Sequence, residues 1–212
     1  VPYGYGICEE KDLDKLKNIS YPVIVKLNSE GSSMGLNDKS IVYDFDSLKS
    51  QVKYLLGKYN RNILVEEFID GQDISMIYVE GLGALGPCII NCDSEFYDYE
   101  MKTVKDETVD ISTLIGNYDE LKKIANFIAK KLDIKGYAKM DFRVKGDKYY
   151  LIEVNSQVSF HPTGEFITCA KTDGYSFNEI ISFIVETALQ NKEKKNSIGY
   201  VVIENDRWKN NW

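Results

Sequence analysis

The chain has 212 residues, 43% of them hydrophobic, which is enough for a real core in one domain or two small ones. A net charge of −7 argues against nucleic acid as a partner, because duplex-binding proteins carry a basic face, but leaves room for a small anion held by a few well-placed lysines. No apolar run is long enough to cross a membrane, and the opening "VPYGYGICEE" has neither region of a signal peptide, so a cytoplasmic protein is expected, with Val1 read as a cut inside a longer chain.

In chain order, "EEKDLDKLKN" predicts a short surface helix with Leu13, Leu16 and Ile19 on one side. "YPVIVKL" is a β-branched strand, and "SIVYD" is a second strand candidate. Leu48, Val52, Leu55, Leu56 and Tyr59 recur at helical spacing from about Asp46 to Tyr59, with Asp44 or Asp46 as cap. "RNILVEEFI" is a strand that ends at the turn Asp70-Gly71, and "DISMIYVEG" and "GALGPCIINC" follow as consecutive strands. Ser94 to Gly116 has no period and reads mostly as loop. "NYDELKKIANFIAKKLDI" predicts a helix with a capping box at Asn117 and Glu120 and a stripe of Leu121, Ile124, Ile128 and Leu132. "GYAKMDFRV" and "YYLIEVN" form a predicted hairpin, "SFNEIISFIVETALQ" a final amphipathic helix, and the last twenty residues a charged tail with one edge strand. Mixed elements dominated by antiparallel hairpins make the class α+β.

Four constellations carry chemical potential. The loop "NSEGSSMGL", Asn28 to Leu36, follows a stiff strand; its glycines allow close backbone approach and its N–H groups suit an anion, with Lys26 adding a point charge. The same residues also suit a plain surface loop. Asp141, Glu153 and Asn155 are hard-oxygen donors of the kind Mg²⁺ takes, or else ordinary polar residues at a sheet edge. The metal reading demands a particular register. Regular pairing around a two-residue turn at Gly146-Asp147 would set Asp141 opposite Ile152, so an odd connection or a bulge is required. In "SEFYDYEMK", Lys102 could reach a transferring phosphoryl group, while "VEEFIDGQD" offers a backbone edge for a base and Glu66, Glu67 or Asp73 for a ribose. Cys8, Cys88, Cys92 and Cys169 lack a metal-knuckle spacing and have only His161 to help, so reduced thiols are the expectation, ahead of a disulfide or metal site. His161 also lacks a recognisable Ser or Cys partner for acyl-enzyme chemistry.

Taken in this order, "PVIVKLNSEGSSMGL", "ILVEEFIDGQDIS", "EFYDYEMK" and "MDFRVKGDKYYLIEVN" resemble the ATP-grasp ligases, and most closely the D-alanine–D-alanine ligases, over roughly residues 21–190. The resemblance implies two α+β lobes with ATP between them: residues 1–68, residues 69–192, and a tail at 193–212. It implies that Lys26, Ser32, Ser33, Met34 and Gly35 attend the phosphates. Glu66, Phe68 and Ile69 would form the hinge at the base and Asp73 would attend the ribose, with Glu67 and Ile152 also among the nucleotide-binding residues. Lys102 would contact the γ-phosphate, with Lys139 and Ser33 beside it in catalysis. Asp141, Glu153 and Asn155 would bind Mg²⁺, with Mn²⁺ as a substitute. The implied chemistry joins a carboxylate to an amine through an acylphosphate, with amino acids as substrates. The alternatives are an ATP-binding module without turnover and a ligase for amino acids other than D-alanine.

The sequence also departs from the family. Lys139 stands where the family has arginine, and Thr103 where dipeptide ligases often have tyrosine. Ser159 stands near an expected glycine and Gly164 near an expected serine. All lie on the amino-acid side of the implied cleft. The family's N-terminal substrate domain finds no match, so a missing domain of the parent chain or a homodimeric partner is expected to complete the site.

Overall fold

The computed structural model describes residues 1–31, 33–91, 110–114 and 116–197. Strands β1 (Gly4–Ile7), β2 (Val23–Leu27), β3 (Ile41–Val42) and β4 (Ile63–Glu67) form an antiparallel sheet in the order β1-β4-β2-β3. A 3-10 helix (Glu10–Leu16) and helix α1 (Phe45–Tyr59) accompany it. The period-two alternation of β2 and β4 decides what each face does. Val23, Val25, Leu27, Ile63 and Val65 point into a core shared with Leu48, Val52 and Leu55 of α1. The alternate residues Ile24, Lys26, Leu64 and Glu66 point the other way, into a cleft. Asp44 caps α1, its carboxylate accepting from the Ser47 N–H at 2.8 Å.

The second sheet has five antiparallel strands in the order β7-β6-β5-β8-β9. They are β5 (Gln72–Val79), β6 (Gly83–Asn91), β7 (Asp110–Thr113), β8 (Tyr137–Lys145) and β9 (Lys148–Asn155). Helix α2 (Asp119–Lys131) covers one face, packing Leu121, Ala125 and Ala129 on Ile74, Met76, Met140 and Phe142. Helices α3 (Glu165–Thr172) and α4 (Phe177–Ser197) serve the other face, where Phe166, Ile167 and Ile180 meet Ile77 and Val79. That cover stops partway along. Asp73, Ser75, Asp141 and Arg143, on the same face as Ile77 and Val79, line the cleft. No described helix is long and apolar enough to cross a membrane.

The α+β class holds, and several details change. "SIVYD" contributes only Ile41–Val42 to the sheet. β1 and β7 are additional short strands of four residues each, and β7 lies within the stretch read as loop. The predicted capping box of α2 does not form as expected: Tyr118 is the cap position, and the Asn117 side-chain Oδ1 accepts from the Asp119 N–H at 3.0 Å. Leu132, assigned to the apolar stripe, is 58% exposed because the helix ends at Lys131. α3 was unexpected; five consecutive residues, Phe166 to Ala170, are buried, so it shows no amphipathic period. α4 continues to Ser197, so helix occupies the start of the stretch read as tail, whose remainder lies outside the described residues.

Candidate functional site

The metal candidates owe their arrangement to a bulge. β8 and β9 pair regularly from Lys145–Lys148 to Phe142–Leu151, around the two-residue turn Gly146-Asp147. The register then shifts and Asp141 faces Glu153, with Ile152 as the extra residue. One inserted residue thus aligns Asp141, Glu153 and Asn155, as the metal reading requires, and Ile152 lines the cleft. The Ser75 hydroxyl donates to Asp141 Oδ1 at 2.6 Å. Asn155 Nδ2 donates to Asp141 Oδ2 at 3.1 Å and to Glu153 Oε1 at 2.9 Å. Two carboxylates and an amide are a donor set that fits Mg²⁺, provided the Asn155 amide rotates to present its oxygen. Among the described residues there is no cluster of three or more His, Cys, Asp or Glu able to hold a metal, so the amide is needed to make a third protein donor.

Lys139 adjoins this set. Its ammonium lies 2.9 Å from Asp141 Oδ2 and also bonds Glu165, with its side chain 14% exposed and that of Glu165 15%. Burial opposes its charge, but the two carboxylates outweigh that and hold the ammonium above the ordinary lysine range. Across the cleft, Lys26 on β2 pairs with Glu66 on β4, which is buried.

At the other end the chain turns from β4 into β5 through Phe68 and Ile69. The Glu67 N–H donates to the Tyr3 carbonyl at 2.9 Å and the Phe68 N–H to the Pro22 carbonyl at 3.1 Å. Arg143 organises this end. It grips Asp73 through Nε at 2.8 Å and Nη2 at 3.1 Å, donates from Nη1 to the Ile69 carbonyl at 2.8 Å, and lies over the Phe68 ring. The Asp73 carboxylate, expected at a ribose, is therefore already held in a bidentate grip. Ser33 and Met34 of the loop line the cleft, and Ser33 and Gly35 take positive φ values of 56° and 82°.

The cleft between the sheets thus collects Lys26, Ser33, Met34, Glu66, Glu67, Phe68, Ile69, Asp73, Lys139, Asp141, Ile152 and Glu153. Asn155 joins through its hydrogen bonds, and Gly35 lies behind Met34 with Leu27 and Leu55 beside its Cα. Ser32, Lys102 and Thr103 fall outside the described residues. Sequence reasoning missed Ser75, Arg143 and Glu165. The signal for Arg143 was present, since a charge two residues from Asp141 on one strand shares its face. Glu165 carried no local signal. Cys8 is exposed, Cys88 and Cys169 are buried and unbridged, and Cys92 lies outside the described residues. His161 is exposed, with Nδ1 3.0 Å from the Thr163 hydroxyl.

A family model described as the D-ala D-ala ligase C-terminus matches residues 8–186. The chain belongs to this family. It is 32% identical over 190 residues to D-alanine–D-alanine ligase B of Clostridium perfringens, across 88% of this chain and 61% of that protein. The crystal structure of D-alanine–D-alanine ligase from Bacillus anthracis aligns with a TM-score of 0.75 at 25% identity, covering 92% of this chain and 64% of that one. A structure of the Bacillus anthracis ligase complexed with ATP aligns at 0.72 and 22% identity, over 92% of this chain and 62% of that one. As a member of the D-alanine–D-alanine ligase family the chain has the ATP-grasp fold, with the cleft lying between its two sheets. It spans about three fifths of the length of the curated relatives it matches.

Proposed function

We propose that this chain is the nucleotide-binding region of an ATP-dependent carboxylate–amine ligase that acts in the cytoplasm. Residues 1–68 and 69–192 act as its two lobes. The observation that carries the reading is the bulge at Ile152, which sets Asp141 and Glu153 opposite one another beside Lys139. A regular hairpin would have been simpler. The irregular one makes sense if two carboxylates must share a cation.

In this reading the base of ATP lies against Phe68, Ile69 and Ile152, and its ribose lies near Asp73. The phosphates run between Lys26 and the loop containing Ser32, Ser33, Met34 and Gly35, with Lys102 reaching the γ-phosphate. Asp141, Glu153 and Asn155 would hold Mg²⁺, or Mn²⁺ in its place. When bound, the metal neutralises charge that builds on the phosphoryl oxygens. Lys26 and Lys139 add positive charge from either side of the cleft. A carboxylate takes the γ-phosphoryl group, giving an acylphosphate and ADP. An amine then attacks that carbonyl and expels phosphate with loss of a proton. Amino acids are the natural first candidates for the carboxylate substrate, and amino acids and their amides are both candidates for the amine. The remaining length of the relatives, or a second copy of the chain, is where further substrate contacts would be sought.

The test is ADP release with Mg·ATP and a panel of D- and L-amino acids and their amides, with products weighed by mass spectrometry. Amino-acid-dependent ADP release together with a condensed product is expected. ATP binding with no ADP release in any mixture would leave a nucleotide-binding module and overturn the ligase assignment.

A further inference from the structure

The odd-numbered residues of β8 form a ruler along the cleft. Arg143 marks the end near Phe68 and Ile69, Asp141 the metal candidates, and Lys139 the next position. Each two-residue step is about 6.6 Å along a strand, so Lys139 lies about 13 Å from Arg143. A nucleotide with its base at the Arg143 end and phosphates at Asp141 directs its terminal phosphate toward Lys139. What stands at Lys139 therefore stands where an amine must approach the activated carbonyl.

That position is occupied by Glu165. Its carboxylate bonds Lys139 and lines the same cleft. Glu165 is also the first residue of α3, where backbone N–H groups and the helix dipole favour a negative charge. The cation that could grip a substrate carboxylate is thus already served by an anion from the protein, and that anion also adds negative charge at the helix start. The neighbouring Gly164 brings no hydroxyl. A Cβ there would lie 3.3 Å from the His161 carbonyl oxygen, so a side chain is resisted as well.

We propose that Glu165 determines acceptor specificity, excluding amines that carry a carboxylate beside the attacking nitrogen and admitting amines with a neutral or cationic group there. This rests on the ligase reading above and narrows its acceptor. A substrate carboxylate would have to displace Glu165 from Lys139 or sit against it, and like charges so placed repel strongly. A neutral or cationic group meets no such opposition.

The test compares D-alanine with D-alaninamide, which differ only in replacing the carboxylate with a neutral amide, and adds ethylamine as a bare amine. Acceptor-dependent ADP release is measured with a fixed carboxylate donor. Binding of the same probes is measured by calorimetry with Mg²⁺ and a non-hydrolysable ATP analogue. D-Alaninamide is expected to exceed D-alanine by at least about tenfold, and Glu165→Gln to shrink that ratio by a similar factor. Equal or better use of D-alanine by the unaltered protein overturns the proposal, and this comparison needs no variant to fold. A ratio unchanged in Glu165→Gln also overturns it. If no mixture releases ADP, the ligase reading fails, while the binding comparison still decides the role of Glu165.

Discussion

Asp141 receives three donors: the Ser75 hydroxyl on one oxygen, and the Lys139 ammonium and the Asn155 amide on the other. A carboxylate so held has little orientational freedom left to lose when a cation arrives. Glu153 is bonded through Asn155 and lies one register position from the bulge. Glu153→Gln removes a charge while keeping the shape and one acceptor oxygen, so the fold should survive. We expect the Mg²⁺ concentration that half-saturates nucleotide binding to rise by at least about tenfold, with metal-independent binding less affected. Titrating Mg²⁺ at fixed nucleotide in a calorimeter measures this directly. An unchanged Mg²⁺ dependence would remove Glu153 from the metal set. Arg143 shows the same logic at the other end, with one guanidinium fixing Asp73, the Ile69 carbonyl and the Phe68 ring together.

At the scale of elements, the loop after β2 joins the cleft to the core. Gly35 has a φ of 82°, and an added Cβ would lie 3.3 Å from Leu27 and 3.4 Å from Leu55. Both leucines belong to the core under the first sheet. Gly35→Ala therefore strains the backbone by about 1–2 kcal/mol and pushes the loop off its seat. Nucleotide affinity is expected to fall while helical content is kept, as circular dichroism beside calorimetry would show; undiminished affinity would free Gly35 of any role. Elements with strong periods were legible in the sequence: the β2 and β4 alternation, the α1 stripe, and the hairpin with its required irregularity. The elements missed had weak signals. β1 is four residues with two glycines, β7 is four residues at a sheet edge, and α3 is buried nearly all round. The site residues that were found lie on strands whose face could be counted. Glu165 was missed because only tertiary packing brings the start of α3 beside Lys139.

For the molecule as a whole, the cleft has one wall from each sheet, and neither wall is complete alone. Lys26 and Glu66 belong to the first sheet, Asp141 and Glu153 to the second. A ligand that touches both should couple them, because anything that binds the folded state preferentially stabilises whatever must be ordered to bind it. AMP reaches the Arg143 end but carries no terminal phosphates to bridge toward Lys26 and the loop. Mg·ATP should therefore slow amide hydrogen exchange at residues 28–36 and at β8 and β9 together, whereas AMP should protect chiefly residues 67–73. Exchange followed by mass spectrometry separates these peptides. Protection of β8 and β9 without any change at residues 28–36 would mean that the loop does not engage the phosphates, and the first sheet would then be a scaffold instead of a wall of the site. Protection of both by Mg·ATP, absent when Glu153 is glutamine, would tie the metal set to the joining of the two sheets.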